Sequence, residues 1–207
     1  MTTPDPTTTH DPLLAGLAAL AATDAPDLTD RVFDGWLSAD SSIGPVWVAC
    51  TRDGVSFVRA AADLAGEEFR AAYRHRFGRP LRPADTAPDG LDAALRGAAT
   101  VPRLDLLGLT DFQRDVLAAT RTIPAGETRH YAWVAAEVGR PGAVRAAGTV
   151  LATNPVPLLI PCHRVVPRSG SGDQIGRYIF GTPTKQRLLR AEGAAIATST
   201  PEEGSAR

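Results

Sequence analysis

The punctuation of its second half constrains this chain most. Three clusters, Ile123-Pro124-Ala125-Gly126, Gly139-Arg140-Pro141-Gly142 and Asn154-Pro155-Val156-Pro157, follow one another at short intervals. Proline removes a backbone donor and clashes with the preceding helical turn, and glycine weakens the helix it joins. The apolar spacing between these breaks therefore predicts short helices over 111–121, 131–138 and 143–152, with Phe112, Val116 and Leu117 on one face of the first. Thr110-Asp111 suits the start of that helix. A last helix is expected over 183–191, with Thr182 as cap, Pro183 at its first position and Gly193 as its stop. Two short helices joined by a four-residue Gly/Pro turn predict a helix-turn-helix. Its second member is built almost wholly from Ala, Gly, Thr and Val with one charge, Arg145. Such a helix can bring its backbone close to a ligand, and tight packing on a neighbouring helix is the competing explanation.

The first half has different periods. Residues 1–12 are rich in Thr, Pro and Asp and are expected to be disordered. Short helices are expected over 13–22 and 28–37, the second from the spacing of Val32, Phe33, Trp36 and Leu37. Strand-like 44–50 and 55–59 flank the turn signal Arg52-Asp53-Gly54 and predict a β-hairpin. Helical spacing over 63–77, a loop over 79–90, a short helix over 91–95 and a strand over 104–107 follow. The expected architecture is α+β. A small N-terminal α/β domain with a short antiparallel sheet (13–100, of which 13–35 form an extension) precedes a mostly helical domain with a helix-turn-helix (101–193). Residues 168–176 read as a flexible loop and 194–207 as a disordered tail.

Charge divides along the same line. Residues 1–100 hold 9 Arg and no Lys against 14 Asp plus Glu, net −5; residues 101–193 hold 12 Lys plus Arg against 7 acids, net +5. Either the second half faces a polyanion or the halves neutralise each other. The two cysteines, Cys50 and Cys162, cannot form a disulfide framework, so a reducing cytoplasm is expected. No basic region followed by an apolar run opens the chain, and its longest apolar stretch, 13–22, is about half a membrane span. Cys50 lies in an expected buried strand and histidines are few, so no zinc site is expected. His10, His75 and His130 read as packed or solvent-facing.

The chemistry-bearing segment is Pro161-Cys162-His163-Arg164-Val165. A thiol attacks as thiolate, and activation requires a base or positive charge nearby. His163 and Arg164 offer both, although neighbours in an extended segment point to opposite faces. By itself, the segment is better explained as a buried structural cysteine beside a surface histidine.

Together with Asn154-Pro155-Val156-Pro157 and the upstream helix pair, this run resembles the active-site signature of the O6-alkylguanine-DNA alkyltransferases. The similarity extends over about 109–193, and Ser42-Ile43-Gly44-Pro45 resembles the opening of that family's first domain. The resemblance implies stoichiometric transfer of an alkyl group from O6-alkylguanine, and from O4-alkylthymine as a further substrate, in double-stranded DNA. Cys162 matches the acceptor, His163 the base acting through a water, Glu192 the carboxylate that orients it, and Asn154 the hinge asparagine. Tyr131 matches the tyrosine at the target phosphate and guanine N3, and Arg145 the arginine that fills the gap left by the flipped base. Ala146, Ala147 and Gly148 would let the helix approach the minor groove. Pro161, Tyr178, Ile179 and Phe180 would line the base pocket. The resemblance implies no cofactor and no metal, and a monomer suffices. In many members a Ser/Gly-rich stretch follows the tyrosine matched by Tyr178; Ile179 and Phe180 replace it here, which implies a preference for small adducts. The alternative is a non-enzymatic damage binder of the alkyltransferase-like kind; a Cys–His hydrolase or a sequence-specific regulator stands further off.

Overall fold

A computed structural model describes residues 32–168 and 175–194. The helix expected over 13–22 and most of the loop and tail expected over 168–176 and 194–207 lie outside these residues. Strands β1 (Asp34–Ser41), β2 (Gly44–Thr51) and β3 (Gly54–Ala60) form an antiparallel meander, and β4 (Leu81–Pro83) joins β1 in parallel, giving the order β3-β2-β1-β4. The hairpin read at Arg52-Asp53-Gly54 is in place. Trp36 and Leu37, read as helical, lie instead in β1. The reason is that this end of β1 is covered on both faces, although Ser38 and Asp40 further along are exposed. Leu37 and Ala39 join the main core while Trp36 joins an aromatic cluster on the other side, so this end lacks the clean alternation of a half-exposed strand. A register shift at Ala49/Cys50 opposite β3 reverses its parity and lets both Val55 and Val58 face the main core.

Helix α1 (Gly66–Phe77) covers the aromatic face with Phe69 and Tyr73, packed with Trp36, Trp47 and Phe57. It starts three residues later than its spacing suggests, where Glu68 accepts the Ala65 N–H at 2.8 Å. Buried Asp34 accepts from Tyr73 Oη and Arg79 Nε, each at 2.8 Å, tying β1 to both ends of this layer. Helix α2 (Leu91–Leu95) closes the other face. The strand expected over 104–107 is reduced to one bridge: the Val55 N–H donates to Arg103 O and Asp105 N–H to Val55 O, both at 2.9 Å, while Leu104 pairs in parallel with Val55.

Helices α3 (Asp111–Arg121), α4 (Tyr131–Glu137), α5 (Val144–Ala152) and α6 (Thr182–Ala191) form the second half. Thr110 caps α3 as read, with its hydroxyl accepting the Gln113 N–H and the Gln113 side chain accepting the Thr110 N–H. Thr182, read as a cap, is already helical; Gly181 precedes the helix and no side chain caps it. One apolar cluster runs from Val46, Val48 and Val58 on the sheet through Val116, Leu117, Val134 and Ala147 to Leu159, Ile160 and Val165. Two residues from each side of the site, Arg129-His130 (β5) and Val165-Val166 (β6), pair in parallel just before α4 and just after Cys162. No helix among the described residues is long and apolar enough to cross a membrane.

Candidate active site

The chain from Asn154 to Val165 wraps around one side chain. Asn154 is fully buried; its amide donates to Ile160 O at 3.1 Å and to Cys162 Sγ at 3.2 Å, and its oxygen accepts the Val156 N–H at 3.0 Å. Two of these bonds brace one turn and the third reaches the thiol. The turn includes Leu158 at φ 74, a left-handed conformation that costs a non-glycine residue about 1 kcal/mol or more and that clusters at functional sites. Buried Pro161 precedes a single 3-10 turn, Cys162–Arg164. The extended geometry considered for this segment is therefore absent. In a three-residue turn, successive side chains lie about 120° apart rather than on opposite faces.

His163 and Arg164 both reach Glu192, the residue that ends α6. His163 Nε2 lies 3.0 Å from Glu192 Oε1; Arg164 donates to both carboxylate oxygens, at 2.9 and 2.8 Å, and to Ile123 O at 2.6 Å. Burial alone would raise the Glu192 carboxyl, but the hydrogen bonds and charges of His163 and Arg164 outweigh it and hold it at about 2. Gly126 makes this closeness possible: at φ 82, a Cβ there would stand 2.9 Å from Glu192 O. Burial lowers the His163 pKa more than Glu192 raises it, so the imidazole rests neutral. With Nε2–H given to Glu192, Nδ1 holds the lone pair, and it is buried without a protein partner. Cys162 is 5% exposed, and burial raises its thiol pKa against the pull of Asn154, Lys185 and Arg59. The resting group is the thiol, beside a neutral base with a free lone pair.

Lys185, absent from the sequence reading, is fully buried in the first turn of α6; its Nζ donates to Val165 O at 2.7 Å, and burial brings it down to about 8. Its spacing to Leu188 and Leu189, on the same helix face, was the available signal: a lysine in register with an apolar stripe. Tyr178 packs edge-on against both His163 (6.0 Å) and Phe180 (5.5 Å), and its hydroxyl is buried without a partner. Phe180 is buried and Ile179 partly so.

Outside this centre lies an open groove of about 780 Å³ lined by Tyr131, Gly142, Ala143, Val144, Arg145, Ala146 and Gly148. Arg145 and Ala146 are exposed on the first turn of α5, and Gly148 leaves room for the Tyr131 ring 3.7 Å from where a Cβ would stand. Ala147, read together with Ala146 and Gly148 as part of the binding surface, is instead fully buried in the main core and does not line the groove.

The description "6-O-methylguanine DNA methyltransferase, DNA binding domain" matches residues 111–194. The chain is 38% identical over 162 residues to the methylated-DNA–protein-cysteine methyltransferase of Salmonella typhimurium, covering 73% of this chain and 91% of that one. It is 45% identical over 111 residues to the Mycobacterium leprae protein of the same name, covering 53% and 65%. Among solved structures, the O6-methylguanine methyltransferase of Mycobacterium tuberculosis superposes with a TM-score of 0.59 at 32% identity, over 80% of this chain and 96% of that one. A structure of M. tuberculosis OGT in complex with DNA gives 0.58 at 34%, over 77% and 92%. With a thiol, a neutral imidazole and a partly buried carboxylate gathered behind a groove, and with the Salmonella relative matched over nine-tenths of its length at 38% identity, the chain belongs to the methylated-DNA–protein-cysteine methyltransferase family.

Proposed function

We propose that this methyltransferase repairs double-stranded DNA by moving the alkyl group of O6-alkylguanine onto Cys162, once per molecule. The observation that carries this reading is the hydrogen-bonded centre itself: Asn154 on Cys162 Sγ, and His163 held by Glu192 with its Nδ1 lone pair unused. The thiol proton passes to Nδ1 through a water, and Glu192 stabilises the imidazolium that forms. The thiolate attacks the alkyl carbon, the S–C bond forms as the C–O6 bond breaks, and guanine takes up a proton to leave as its ordinary keto form. Tyr131, which lines the groove, donates toward N3 as O6 departs and regains its proton from the His163 imidazolium; exchange with water then places the guanine proton on N1, giving the keto form. The product is a thioether, which has no hydrolytic path back to thiol, so protein is consumed stoichiometrically.

The alkyl carbon lies inside the duplex, so the nucleotide must leave the stack at a cost of roughly a few kcal/mol. The pair α4–α5 acts as the helix-turn-helix, with α5 in the minor groove, where base identity is poorly displayed and sequence preference is weak. Arg145 fills the vacancy, Ala146 and Gly148 allow close approach, and the base sits between Pro161 and the wall of Tyr178, Ile179 and Phe180. One molecule suffices for one lesion. Incubated with O6-methylguanine duplex, the peptide containing Cys162 gains a methyl in place of a proton; Cys162→Ala abolishes the gain while duplex affinity stays within about twofold. Tight binding by the wild type with no adduct would mark a damage binder instead.

Phe180 is buried edge-on to Tyr178, which supports a base pocket narrowed by Ile179 and Phe180 on this reading. Methyl transfer outpaces benzyl transfer by tenfold or more, about 1.4 kcal/mol of lost fit. Comparable rates on O6-benzylguanine and O6-methylguanine would remove this part of the reading.

A further inference from the structure

The sheet reaches the thiol through one carbonyl. Val58 N–H on β3 donates to Pro155 O at 2.8 Å, and Arg59 Nη1 donates to the same oxygen at 3.2 Å and to Val58 O at 2.6 Å. Pro155 directly follows Asn154, whose amide donates to Cys162 Sγ. The Arg59 guanidinium is fixed further by the Phe57 ring, 3.9 Å from centroid to carbon. It has no acidic partner among the described residues. Its charged neighbour is Arg76, a like charge, and burial together with Arg76 brings the Arg59 pKa down to about 10.

A cation held in this way, without a counter-ion, favours whatever anion forms nearby. The titratable or charged groups in electrostatic reach of Cys162 are Lys185 from α6, Arg59 from β3, Tyr131 from α4 and Tyr178; His163 adjoins it in the chain, hydrogen-bonded to Glu192, which Arg164 also holds, and Arg76 acts on Arg59. His163 rests neutral, the tyrosines are held protonated, and Glu192 offsets Arg164. Arg59 and Lys185 are then the uncompensated positive charges acting on Cys162. We propose that Arg59, outside the matched helical segment, is a positioning residue for alkyl transfer: it clamps the Pro155 carbonyl and sets a fixed positive charge behind the Cys162 thiolate. This inference rests on Cys162 being the acceptor.

The test is the single-turnover rate of transfer from O6-methylguanine duplex across the neutral-to-alkaline range, with the adduct located by mass and with melting temperature and duplex affinity measured on each variant. Arg59→Gln keeps a donor for Pro155 and removes the charge. Its rate at neutral pH falls about three- to tenfold and recovers as pH rises, because its pH curve is displaced toward alkali. Arg59→Lys keeps the charge and the position of the curve. A wild-type curve for Arg59→Gln, or an equal loss in both variants without displacement, overturns the proposal. If Arg59→Gln does not fold, Arg59→Lys decides alone: a displaced curve overturns it. Absence of a Cys162 adduct on the wild type would instead remove the reading of the acceptor, and the two failures are thereby told apart.

Discussion

At the scale of single residues, the site sets two opposed demands on Cys162. Burial keeps alkyl chemistry away from water but raises the thiol pKa, so the proton must have somewhere to go. In the proposed transfer His163 is the base, since Glu192 occupies its other nitrogen, and Glu192 stays ionised because His163 and Arg164 both hydrogen-bond it. Glu192→Gln breaks this chain at its most loaded point. It leaves Arg164 without a counter-charge and lets the His163 ring turn, so transfer falls by one to two orders of magnitude and stability by about 2–4 kcal/mol. The sign of the pH dependence follows from the shifts. The Glu192 carboxyl is depressed by folding from 4.5 to about 2, so its stabilisation is complete above 4.5 and is lost as pH falls toward 2. His163 is also depressed, so the unfolded chain takes up its proton first, and stability declines as pH falls below 6.5. Melting temperature against pH checks both: the wild type loses stability through both windows, and its advantage over Glu192→Gln shrinks below pH 4.5.

At the scale of elements, short helices matter because their ends, rather than their middles, carry the chemistry. Tyr131 opens α4, Arg145 lies in the first turn of α5, and Glu192 ends α6. The breakers in the sequence made those ends legible, and α3, α4 and α5 fall within a residue or two of where the breakers put them. What the helical pattern left open was the inner face of α5. Ala146 and Ala147 are the same residue type, and only packing against the core assigns one to the groove and the other to the interior. For Arg145, Arg145→Ala slows repair of duplex DNA by tenfold or more while leaving reaction with free O6-alkylguanine within about twofold, since only the duplex has a gap to fill. Equal losses in paired single-turnover assays would contradict the assignment.

At the scale of the whole molecule, the basic half is the half that carries the groove, and the acidic half supplies the sheet that supports its hinge. A duplex contact made through a few arginines releases counterions, so affinity for undamaged duplex drops with salt. For about four phosphate contacts, raising salt from 50 to 200 mM lowers the association constant by roughly a hundredfold. A filter-binding or anisotropy titration with a flat salt response would mean that the charge asymmetry serves solubility only. The sequence by itself determined the order of helices and the hairpin, because breakers and turn residues are local and survive being read one after another; the family resemblance singled out Cys162, His163, Asn154 and Glu192, and the fold supplies the hydrogen bonds from Asn154 to Cys162 and from His163 to Glu192. It misassigned Trp36 and Leu37, because these adjacent apolar residues pack on opposite faces and leave no alternation at that end of the strand. It also missed Lys185 and Arg59. Only the tertiary structure decided those, since a charge gains its meaning from burial and from the one thiol it faces, and both depend on segments far apart in the chain.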